Sequence, residues 1–94
     1  MGRESDRPTR RAIIREMRGI PFFLLREYLE ELGGTATSEH RVEGPGWQAE
    51  LVKMEPFRLG SLSVGQTRMI LEIEDHLADE FMERFAQKTL RAGA

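Results

Sequence analysis

Between Pro21 and Gly34 the chain follows a helical period and then leaves it, and this change limits what the remainder can build. Phe22, Leu25, Tyr28, Leu29 and Leu32 fall on one stripe at helical spacing, with Arg26, Glu27, Glu30 and Glu31 opposite. Pro21 suits the first helical position, where no amide donor is needed. Gly33-Gly34 supplies a left-handed stop. Beyond it the period becomes two. Trp47, Ala49 and Leu51 alternate with Gln48 and Glu50, and Met69, Leu71 and Ile73 alternate with Arg68, Glu72 and Glu74.

The intervening punctuation predicts consecutive antiparallel strands. Thr35–Glu43 is polar and reads as an edge strand, and Gly44-Pro45-Gly46 reads as a turn. A strand then runs from Trp47 toward Met54. Pro56 interrupts it, so Phe57–Leu62 is expected as a separate short strand with Phe57 and Leu59 inward. Ser63–Gln66 is expected to turn the chain into a last strand, Thr67–Glu74. A final helix opens at Asp75 and turns Ala78, Phe81, Met82, Phe85 and Thr89 inward. Residues 1–9 are polar, contain Pro8, and read as a flexible tail ahead of a single domain over 10–92. Arg10–Ile20 stays open: Ile13 and Met17 suit a helix, whereas Ile13, Arg15 and Met17 would share one face of a strand. On that face Arg15 would want a carboxylate partner.

Ninety-four residues support one modest core, and the absence of Cys excludes a disulfide scaffold, a Cys-ligated metal and a cysteine nucleophile. No apolar run suits a membrane span or signal peptide, so the expected compartment is the cytoplasm. The formal charge of −2 argues against nucleic acid. It is unevenly spread: residues 1–18 hold six Arg against three acids, a local +3, which leaves −5 for the rest. Twelve Arg against two Lys, with no Asn, fits a thermophilic source or a GC-rich genome.

Two segments, PFFLLREYLEELGG (Pro21–Gly34) and EPFRLGSLS (Glu55–Ser63), resemble the C-terminal domain of MoaD-related proteins, and the likeness runs from about Ile13 to the last helix. In those proteins this domain of unknown function follows a sulfur-carrier domain related to the small subunit of molybdopterin synthase. The resemblance implies a TATA-binding-protein-like α+β fold of order β-α-β-β-β-β-α, a curved antiparallel sheet with two helices on one face. It also makes residues 11–18 the first strand. A sulfur carrier ends in a free Gly-Gly, whereas this chain ends Arg91-Ala92-Gly93-Ala94, so the resemblance points to the accessory part and not to the carrier.

No residue pattern supplies a catalytic constellation, and the chain is read as a non-enzyme with no cofactor. His40 and His76 are too far apart in sequence to begin a metal site without further ligands. Arg58, Ser61, Ser63 and Arg68, around Gly60, are the candidate ligand residues for a small anion. Trp47 and Phe57 are expected to border any cavity between sheet and helices. Phe23, Leu24 and Ile70 are candidate surface for a partner. The expected function is an interaction or accessory module. Its partner is another protein or a second copy, and a sulfur-carrier or molybdopterin-synthase component is the pathway candidate. The alternative is a small-ligand or anion-binding domain using the gap between sheet and helices.

Overall fold

The ambiguity at Arg10–Ile20 resolves as a strand, and tertiary pairing is what decides it. The computed structural model describes residues 9–93, so the expected tail lies outside the described residues except for Thr9. The elements are β1 (Arg10–Arg18), α1 (Phe22–Glu31), β2 (Thr35–Ser38), β3 (Arg41–Gly44), β4 (Trp47–Leu59), β5 (Leu62–Glu74) and α2 (Asp75–Gly93). They form one antiparallel sheet in the order β1-β5-β4-β3-β2. β1 pairs along its whole length with β5, from Arg10 opposite Glu74 to Arg18 opposite Gln66. The chain then crosses the sheet as α1 and returns strand by strand. This is the expected α+β order, β-α-β-β-β-β-α.

Pro21 precedes α1 in extended backbone (φ −61°, ψ 148°), and its carbonyl accepts from the amides of Leu24 and Leu25. The helix closes as the glycine pair requires. Gly33 sits at φ 106° and donates to the Glu30 carbonyl, while Gly34 donates to that of Leu29 at 3.1 Å. These two bonds use carbonyls that a helix end otherwise leaves free.

The strand boundaries between Thr35 and Glu74 differ from expectation at three places. Thr35–Glu43 is not one strand but the hairpin β2–β3, because Glu39-His40 turns the chain. β4 does not stop at Pro56: the register shifts between Met54 and Phe57, and this bulge takes up the residue that cannot donate a ladder hydrogen bond. Ser63–Gln66 does not turn; the turn is Gly60-Ser61, two residues closed by Leu59 opposite Leu62. Gly60 at φ 63°, followed by a residue without positive φ, matches a type II′ hairpin.

Register fixes which face each strand buries. Ile73 lies opposite Trp47, Leu71 opposite Ala49, and Met69 opposite Leu51, all buried beneath the helices. Leu25 and Leu29 of α1 and Ala78, Phe81 and Phe85 of α2 close the same core. Full burial of each large aliphatic chain contributes about 1.5–3 kcal/mol. The Trp47 indole lies across two glycines. A Cβ on Gly44 would meet its Nε1 at 2.5 Å, and one on Gly34 would meet its Cη2 at 2.6 Å. On its other side the ring packs on Phe81, with centroids 4.8 Å apart.

Candidate functional site

α1 and α2 cover one face of the sheet, and among the described residues the other face is left open. On that outer face the alternate residues of β1, β5 and β4 form rows across the strands: Ile14 with Ile70 and Glu50, then Glu16 with Arg68 and Val52, then Arg18 with Gln66 and Met54. β1 ends there, and β4 and β5 continue as a two-stranded ribbon. The bulge changes the parity of β4, so Phe57 lies opposite Val64 and Leu59 opposite Leu62 on this same outer face. Phe57 and Leu59 were expected inward, and they point the other way. The sequence does carry the signal, since Phe57 and Leu59 alternate with Arg58, Leu62 and Val64 alternate with Ser63, and Gly60-Ser61 separates the two runs.

The ribbon is amphipathic, with its apolar side turned away from the helices. Leu59 and Leu62 at its tip are 62% and 64% exposed, and Ile14 at the centre of the face is 55% exposed. An isolated two-stranded ribbon is marginally stable in water, so an apolar side that no helix or strand among the described residues covers is the notable feature of this end. Arg18 partly supports it: its guanidinium carbon sits 3.8 Å above the Phe57 ring centroid, and its Nε donates to Gln66 Oε1 at 3.0 Å.

Charge on the outer face is polarised along the strands. Toward the Pro45-Gly46 turn lie Glu43, Glu50, Glu72 and Glu74 with Arg10 and Arg41, and toward the ribbon lie Arg18 and Arg68 with Glu16. Several of these side chains are already held in place. Arg68 Nη2 donates to Glu16 Oε2 at 3.0 Å, and Gln48 Nε2 donates to Glu72 Oε1 at 2.6 Å. Arg68 Nε lies buried with no hydrogen-bond partner among the described residues.

The four residues expected around an anion do not converge. Arg58 lies opposite Ser63 on the polar side of the ribbon. Arg68 is on the outer face, opposite Val52 and paired with Glu16, and Ser61 is in the turn. Arg15 shares the helix-side face of β1 with Ile13 and Met17 but is exposed. It donates to the Ile14 carbonyl and has no ion pair among the described residues. Arg11, two residues earlier, holds the carboxylate instead: its Nε donates to Asp75 Oδ1 at 2.5 Å. That hydrogen bond, followed by the attraction of the Asp75 charge, raises the guanidinium pKa above its ordinary value.

His40 packs edge-on against Phe22, and His76 Nε2 lies 3.5 Å from Glu74 Oε1. Among the described residues no three His, Asp or Glu side chains are grouped to hold a metal ion. At the end of the sheet–helix gap there is an open cleft of about 180 Å³, bordered by Leu32, Pro45, Trp47, Leu77 and Phe81, with Glu80 and Arg84 at its rim. Trp47 lines it as expected, but Phe57 does not, being on the opposite face. Pockets that enclose drug-sized ligands run to about 300–1,000 Å³, so this cleft has room for a side chain or a small group. Phe23 is exposed on α1, whereas Leu24 and Ile70 are half-buried.

The sequence profile of archaeal MoaD-like proteins matches residues 13–94, from the fourth residue of β1 through the last helix. The chain belongs to the archaeal MoaD-like family. No curated protein matches it. The matched span contains every part of the outer face except the first residues of β1, so the ribbon and its apolar rows belong to the archaeal MoaD-like region itself. Among the described residues of this MoaD-like chain, no helix is long and apolar enough to cross a membrane.

Proposed function

We propose that this archaeal MoaD-like chain is a non-enzymatic accessory module that works through protein–protein contact in sulfur-carrier or molybdopterin-synthase metabolism. One observation carries the contact reading: Ile14, Ile70, Val52, Met54, Phe57, Leu59 and Leu62 lie on one face, interrupted by the Glu16–Arg68 and Arg18–Gln66 rows, that neither α1 nor α2 covers. Family membership supports the pathway. The module corresponds to the accessory domain of MoaD-related proteins, works in the cytoplasm, and has the TATA-binding-protein-like form of a half-covered sheet. Co-purification of the tagged chain with sulfur-carrier and synthase subunits tests the pathway. Retention of at least one of them is expected, and loss of every such contact removes the pathway assignment.

The cleft beside Trp47 supports a narrower second reading, a small bound group at the sheet–helix gap. Native mass spectrometry of the gently purified chain separates the two. A bare polypeptide mass is expected, and a reproducible added mass would make ligand binding the primary role.

A further inference from the structure

The free edges of the sheet are poorly suited to a partner. β1 carries Arg10, Arg11, Arg15 and Arg18, β2 is four residues long, and β4 beyond its pairing with β3 has Lys53, a bulge and Pro56. Each of these is a device that blocks strand addition. Among the described residues, what remains open is the outer face.

We infer that this face binds a second copy of the same chain, with a two-fold axis that runs across the strands between Ile70 and Arg68. The inference rests on the protein-contact reading above and names the partner. Charge selects the axis. An axis running along β5 would stack Arg68 on Arg68 and Glu72 on Glu72 of the other copy, which is repulsive. Rotation about the across-strand axis keeps β5 over β5 but reverses its direction. The register then brings Arg68 beside Glu50 of the other copy and Arg18 beside Glu72, twice each by symmetry. Ile70 lies at the centre, and each ribbon tip reaches the other copy's Pro45-Gly46 turn.

The size is adequate. Three strands of about 4.8 Å spacing and up to about 44 Å length project roughly 600 Å² of flat area. Side-chain relief brings that near the ~800 Å² per partner of a standard interface.

Two measurements test the arrangement. Sedimentation velocity is expected to give twice the 10.8 kDa chain mass at micromolar concentration, and a monomer throughout overturns the inference. Arg68→Glu and Glu50→Arg are each expected to weaken the dimer about tenfold. The combination is expected to recover most of that loss, because a new pair replaces the old, and additive weakening overturns the pairing. Thermal melts of each variant separate dissociation from unfolding. Because the chain has no Cys, a spin label at Ser61→Cys is unique. The across-strand axis places the two labels about 50 Å apart, whereas labels closer than about 25 Å would establish the other axis and refute this one. A monomer that still retains sulfur-carrier subunits refutes the dimer alone, and a dimer that retains none refutes the pathway alone.

Discussion

Gly44→Ala tests the account of the core more sharply than a large-to-small change, because the structure gives the direction and the obstacle. The new methyl would lie 2.5 Å from Trp47 Cζ2 and Nε1, where carbon contacts are normally about 3.5–4.0 Å apart. The indole is closely held except where it borders the open cleft. Gly34 and Val42 close one side, Phe81 lies on the other, and the ring is only 5% exposed. Overpacking of this kind costs about 1–3 kcal/mol, and displacing Trp47 from Phe81 forfeits part of an aromatic pair worth about 0.5–1.5 kcal/mol. The sum, roughly 2–4 kcal/mol, lowers the melting midpoint by roughly 10–25 °C in a domain of this size. Circular dichroism on heating reads the midpoint, and emission of the single tryptophan reads the local displacement. Gly65→Ala is the control: nothing lies within 4 Å of its added methyl, and a change under about 0.5 kcal/mol is expected. A Gly44→Ala midpoint within about 2 °C of wild type, with unshifted emission, would refute the packing argument.

Leu29→Ala removes a fully buried side chain between α1 and the sheet and is expected to cost about 2–5 kcal/mol, read as a lower urea midpoint at unchanged slope. Arg58→Ala and Arg68→Ala are expected to alter phosphate-induced amide shifts at separate places, because the two residues lie on different faces of the hairpin; one common set of lost shifts would restore a shared anion site. The raised Arg11 pKa gives stability that is complete below the ordinary arginine range and is lost only as pH rises through the folded value. Arg11→Gln and wild type should therefore show the same pH dependence of stability between about pH 6 and 9.

The helices were legible because each carries its own evidence. The α1 stripe and Gly33-Gly34 specify their geometry within fourteen residues of sequence, and Ala78, Phe81 and Phe85 recur at helical spacing in α2. β1 was not legible from its own residues. Ile13 and Met17 fit either period, and the partner that decides between them is β5, far along the chain. Pro56 misled the strand boundaries, since a bulge lets β4 continue through a residue that would end a regular central strand. That error also displaced the outer face. With the strand ended at Pro56, Phe57 and Leu59 join the inward residues; with the bulge included, they join Leu62 and Val64 outside. The four residues expected around an anion are not on one side because Arg58 and Ser63 pair across the polar side of the ribbon, whereas Arg68 lies on the outer face between Glu16 and Val52.

The position of β1 at the edge beside β5 has a consequence for synthesis. Its contacts are with residues as far along as the 48 separating Arg18 from Gln66 and the 64 separating Arg11 from Asp75. At ribosomal rates of about 5–20 residues per second, this strand waits roughly 3–13 s for its partner to be made. During that interval Ala12, Ile13 and Ile14 are a β-prone segment in search of a neighbour, and the arginines on both sides act as gatekeepers against the wrong one. The charges along β1 thus guard the nascent chain as well as the finished sheet.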